Sequence, residues 1–95
     1  MAKPVKDILL EVYDDYKGLV ELLTVWEKRR GRYYIEVDIK GVDYFTALSI
    51  VEDLKMRLSS NGIWFKQLGP IKYVVKQSGG KVWRFCARAR DFNAS

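Results

Sequence analysis

The stretch Leu19-Val20-Glu21-Leu22-Leu23-Thr24-Val25-Trp26-Glu27-Lys28-Arg29-Arg30-Gly31-Arg32-Tyr33-Tyr34-Ile35-Glu36-Val37-Asp38-Ile39-Lys40 decides what kind of fold this chain can have. Its second half alternates without fault. Tyr33, Ile35, Val37 and Ile39 fall on one side, and Arg32, Tyr34, Glu36, Asp38 and Lys40 on the other. A period of two is the pattern of a half-buried strand. Residues 19–27 are ambiguous, since they would also prolong a preceding helix. A helix from Pro4 to Arg30 would be about 40 Å long at ~1.5 Å per residue, more than the roughly 25–30 Å breadth of a domain this size. Leu19 to Glu27 is therefore read as a strand. A four-residue loop, Lys28-Arg29-Arg30-Gly31, then pairs Trp26 with Tyr33, Thr24 with Ile35, Leu22 with Val37 and Val20 with Ile39. On that register every side chain of the inner face except Thr24 is apolar.

Working outward, Val5, Ile8, Leu9, Val12, Tyr13 and Tyr16 recur at helical spacing. Pro4 opens this first helix and Gly18 stands ready to close it. A second helix spans Tyr44 to Ser60, with Asp43 as its N-cap, Asn61-Gly62 as its stop and Asp53 within reach of Arg57 at i,i+4. Tyr44, Ala47, Leu48, Val51, Leu54 and Leu58 form its buried stripe. Phe45, Ser49 and Met56 lie off that stripe, as scattered surface residues or as the contact face of a homodimer. A short extended piece, Ile63 to Leu68, breaks at Gly69-Pro70. A terminal hairpin follows, and a three-residue loop, Ser78-Gly79-Gly80, gives it two clean faces. Ile71, Tyr73, Val75, Trp83, Phe85, Ala87 and Ala89 face inward; Lys72, Val74, Lys76, Val82, Arg84, Cys86, Arg88 and Arg90 face outward. The expected fold is α+β: two helices on one face of an antiparallel or mixed sheet, in the order α-β-β-α-(β)-β-β, as a single domain over residues 1–95.

Charge is divided unevenly. Residues 55–95 hold nine Lys or Arg against the single acid Asp91, whereas residues 1–54 hold eight bases against eleven acids. Such asymmetry speaks of a polyanionic partner, most commonly nucleic acid. Lys72, Lys76, Arg84, Arg88 and Arg90 would project together from the terminal hairpin, and Arg29, Arg30 and Arg32 at the first turn could extend the surface. Like charges opposite one another on a sheet are mutually destabilising, which favours a neutralising partner over a merely solvated face. Arg84, if exposed, should be removable at little cost in stability. Arg and Lys without exposed stacking aromatics suit duplex DNA better than RNA or single strands. Tyr34, with Val25 and Leu23, falls on the outer face of the first hairpin, either covered by the first helix or free to stack on bases.

Two other classes compete. Glu36 and Asp38 share a strand face, Glu21 would sit opposite Asp38, and Lys40 follows, a set that could serve a metal-dependent nuclease. The basic face could instead dock an acidic protein. Histidine is absent and there is one cysteine, Cys86, which argues against zinc sites, His-based acid–base chemistry and disulfides. No catalytic residue, metal or cofactor is expected. No apolar run approaches the ~20 residues needed to span a bilayer, and the N-terminus lacks a signal-peptide core. A reducing, cytoplasmic setting follows as the expectation.

Tyr16-Lys17-Gly18-Leu19-Val20-Glu21 at a helix end, followed by two strands, a helix and two more strands, resembles the LAGLIDADG homing-endonuclease fold. The motif itself is matched at Gly18-Leu19-Val20-Glu21. Its metal-binding acid and the following glycine would fall at Leu23 and Thr24, so the resemblance does not imply catalysis. It implies a saddle-shaped sheet laid on duplex DNA, with the outer residues of both hairpins in contact.

Overall fold

A computed structural model describes residues 2–41 and 43–92. Two helices, α1 (Val5–Asp15) and α2 (Tyr44–Ser60), pack on one face of an antiparallel sheet built from β1 (Val20–Arg29), β2 (Arg32–Lys40), β3 (Ile63–Gln67), β4 (Lys72–Val75) and β5 (Lys81–Asp91). The strand order is β1-β2-β5-β3, and β4 pairs with β5 as well. Strand β3 runs along the second half of β5, from Ile63 opposite Asp91 to Gln67 opposite Ala87. Strand β4 runs along the first half, from Lys72 opposite Arg84 to Val75 opposite Lys81. Together they form one edge, interrupted at residues 68–71.

The helices are bounded as local chemistry dictates. The Asp43 carboxylate accepts from the Thr46 amide at 3.0 Å and from its hydroxyl at 2.7 Å, tying down one of the amide donors that the first helical turn leaves without intrahelical partners. Gly62, at φ 71°, supplies the left-handed residue that ends α2. Val5, Ile8, Leu9 and Val12 of α1 and Ala47, Ile50, Val51, Leu54 and Leu58 of α2 are buried against Ile35, Val37, Ile39, Phe85, Ala87 and Ala89 of the sheet. Arg57 pins the helices together by reaching Asp15 at 2.7 Å and Asp53 at 2.8 Å. The Tyr16 hydroxyl donates to the same Asp53.

Both hairpin registers depart from the sequence reading. In the first, Val20 does face Ile39, but Leu22 then faces Asp38 and Leu23 faces Val37. Glu21 is an extra residue on β1, a bulge that turns the rest of the strand over. The physical need is plain: Val20 and Leu23 both pack on the core, and an unbroken strand points residues three apart to opposite faces. Leu23 and Val25 therefore turn inward, while Leu22 and Trp26, expected in the core, stand exposed. A second irregularity lies at Lys28. It leaves Arg29 opposite Arg32 and tightens the turn to Arg30-Gly31, with Gly31 at φ 78°.

In the terminal hairpin Tyr73 faces Trp83 and Val75 faces Lys81, so the loop is the five residues 76–80 rather than three. The loop closes on its own hydrogen bonds, Lys76 N–H to Gly80 O at 2.8 Å and Gly79 N–H to Lys76 O at 2.9 Å. A shift of two residues preserves the faces but slides β4 along β5. Phe85 is buried as expected and Trp83 is half-buried, whereas Tyr73 and Val75, expected in the core, are exposed. Val82, expected on the outer face, is fully buried.

Candidate nucleic-acid interface

The helices cover one face of the sheet; the other is buried around Asp38 and open at the end nearest the first turn. Its side chains fall into cross-strand rows because β5 lies at the centre of the sheet, paired with β2 on one side and with β3 and β4 on the other. The row nearest the first turn reads Arg29, Arg32, Arg90, Trp64 across β1, β2, β5 and β3. The next reads Trp26, Tyr34, Arg88, Lys66. Lys28, the irregular residue of β1, places its ammonium 5.7 Å from the centroid of the Trp26 ring. Neither row contains a carboxylate. Arg29, Arg32, Lys66, Arg88 and Arg90 are exposed and make no ion pair among the described residues. An open cleft of ≈ 430 Å³ lies at this end of the sheet, where Lys28, Arg29, Arg32, Arg88 and Arg90 meet Trp64 as an aromatic wall above Tyr33 and Ala89.

The far end of the face is electrically different. Arg84 Nε meets Asp38 Oδ1 at 2.8 Å and its Nη2 meets Oδ2 at 3.1 Å, while Glu36 lies 3.5 Å from Nε. Asp38 is 1% exposed, and its carboxylate holds the Arg84 guanidinium still more firmly protonated than an ordinary arginine. Glu36 also accepts from the Tyr34 hydroxyl at 3.0 Å and lies 3.7 Å from the Cys86 thiol. The neighbouring Cys86, partial burial and Glu36 together keep Tyr34 protonated well above the usual phenol range. Lys76 is in the loop and pairs with Glu21 at 2.8 Å.

The eight basic residues singled out from sequence therefore divide. Arg29, Arg32, Arg88 and Arg90 converge on the cleft; Arg30 occupies the turn beside them. Arg84 and Lys76 are bound to carboxylates, and Lys72 is exposed at the Arg84 end. An outer face with no interleaved acid holds for the hairpin alone, not once β2 lies against β5. Lys28, Lys66, Trp26 and Trp64 belong to the cleft end and were not anticipated. The phase jump after Val20 is the one sequence signal that could have placed Trp26.

The rival carboxylate set does not converge. Leu22, not Glu21, faces Asp38, and all three acids are engaged by Lys76, Arg84 or Tyr34. Among the described residues no group of three or more Cys, Asp or Glu could hold a metal ion, and no helix is long and apolar enough to cross a membrane. Phe45 and Met56 on α2 are 75% and 69% exposed, and the Ser49 hydroxyl donates to the Phe45 carbonyl at 2.9 Å. No protein-family model and no curated protein matches the chain.

Proposed function

We propose that this protein is a non-catalytic nucleic-acid-binding domain whose contact surface is the turn-proximal end of the open sheet face. One observation carries the reading: Arg29, Arg32 and Arg90 stand directly opposite one another on three adjacent strands. Strands lie only ~4.8 Å apart, and like charges so placed repel. A phosphate backbone relieves that repulsion and releases its own counterions. Lys28, Lys66 and Arg88 widen the same surface. The resemblance to LAGLIDADG endonucleases adds the expectation of a nucleic acid lying across the sheet. The position of that family's metal-binding acid is Leu23, half-buried against the core, which is why binding without cleavage is proposed.

A salt series on labelled oligonucleotides tests this. If Arg29, Arg32, Arg88 and Arg90 meet phosphates, the slope of log K against log salt is about −3.6 on duplex DNA and about −2.8 on single strands. Arg32→Ala combined with Arg90→Ala flattens it by about 1.4 to 1.8 units. Lys72→Ala, at the other end of the face, changes it far less. A folded double variant with the parent's affinity and slope would overturn the proposal and leave an acidic protein as the partner to seek.

A further inference from the structure

Two large indoles stand on the open face without serving the core. Trp26 is 63% exposed and Trp64 is 50% exposed, although the core on the opposite face is already filled by both helices. Each sits among cations: Lys28 beside Trp26, and Arg90 directly opposite Trp64. A third ring, Phe92, lies just beyond the end of β5, 62% exposed and 4.6 Å from the Arg90 guanidinium.

From these positions we infer that the face binds single-stranded nucleic acid in preference to duplex, with unpaired bases stacking on Trp26 and Trp64 while the arginines take the phosphates. This rests on the nucleic-acid reading above and names the form of the ligand. A duplex keeps its base faces stacked on one another, so it gains nothing from an exposed indole; a single strand can turn its bases onto the rings. Spacing points the same way. Trp26 and Trp64 are three strands and one two-residue step apart, about 16 Å between backbones on ~4.8 Å and ~3.4 Å repeats. Neighbouring nucleotides in a duplex strand are only ~3.4 Å apart. The two rings therefore suit separated bases of an extended strand, with the Arg32–Arg90 row between them. The same chemistry accepts DNA or RNA.

The test compares oligo(dT), oligo(rU) and a mixed-sequence duplex of equal length at one salt concentration, using the whole chain. The parent binds one or both single strands more tightly than the duplex. Trp26→Leu and Trp64→Leu each lower single-strand affinity about tenfold and narrow its margin over duplex, with the salt slope retained. Trp26→Phe and Trp64→Phe, which keep a ring, recover most of the loss. Oligo(dT) quenches tryptophan emission in the parent, and the Trp26→Phe/Trp64→Phe double variant, left with the half-buried Trp83, loses that quenching. The exposure of both rings predicts parental thermal stability for every variant, and unfolding curves check it. Equal binding of duplex and single strands, or Leu variants that bind single strands like the parent, would overturn the stacking inference. If Arg32→Ala/Arg90→Ala still weakens every ligand in that case, nucleic-acid binding stands and stacking alone fails.

Discussion

Arg84 shows how much a single residue's role depends on its neighbour across the sheet. Alone on β5 it is one more outward cation, removable at no cost. Beside β2 it is the bidentate partner of Asp38, a carboxylate with 1% exposure. Removing one member of such a pair leaves the other buried and uncompensated. Arg84→Ala is therefore expected to cost about 3 kcal/mol, read from urea midpoints, against less than ~0.5 kcal/mol for Lys72→Ala on the exposed surface. Arg84→Lys should recover part of the loss, because an ammonium lacks the planar fork that meets both carboxylate oxygens. Equal midpoints for Arg84→Ala and the parent would show that the pair does not support the fold.

Among the elements, β1 carries the decisive irregularity. Its bulge at Glu21 lets Val20, Leu23 and Val25 all reach the core and sends Trp26 to the open face. Bulges and charges also blunt an edge strand that could otherwise pair with another chain. Deleting Glu21 places Leu23 two residues after Val20, so a regular strand then keeps Val20, Leu23 and Val25 on the core face without a bulge. That deletion and Glu21→Ala both lose the pair with Lys76 and should each cost no more than ~1 kcal/mol. Deleting Thr24 instead turns Val25 outward and Trp26 inward, or drags the strand out of register, and should cost several kcal/mol, as the loss of apolar core contacts does. Denaturant unfolding of the three variants separates backbone phase from side-chain charge. Comparable losses for the two deletions would mean the bulge does not set the phase of β1.

For the whole molecule, the charged network holding the helices sets a pH window. Hydrogen bonds from Arg57 and then Tyr16 hold the Asp53 carboxyl below its ordinary value, and those from Thr46 do the same for Asp43. A lowered folded-state value stabilises the fold above the unfolded value near ~3.9 and loses that contribution as pH falls through the folded one. At the other end, Asp53 raises the Tyr16 hydroxyl, burial raises Tyr33, and Cys86 raises Tyr34. Their contribution is complete below the unfolded value near ~10 and declines as pH rises beyond it. Urea midpoints should be flat through neutrality and fall below pH ~4 and above pH ~10. Asp53→Asn should lower the neutral plateau and shrink the acid limb. An acid limb unchanged in that variant would exclude Asp53 as its source.

Helix α1 ends early, at Asp15 rather than at Gly18, but the two helices, the Asp43 cap and Gly62 stop of α2, the strand β2 and the excess of positive charge in the second half of the chain were all legible locally. Each depends on side chains a few residues apart: apolar recurrence every three or four positions, Asp43 three before Thr46, strict alternation from Arg32 to Lys40. Tertiary structure decided what the charge means. The pairing of β2 with β5 joins residues about fifty positions apart, as Glu36–Cys86 and Asp38–Arg84 do, and nothing local announces it. That pairing neutralised Arg84 and gathered Arg29, Arg32 and Arg90 into one row. The bulge at Glu21 left only the phase jump after Val20 as a trace, since a single extra residue reverses every later side chain while leaving the strand's composition unchanged. Which arginines remain available to a ligand, and which aromatic rings stand beside them, is thus a property of strand neighbours and register.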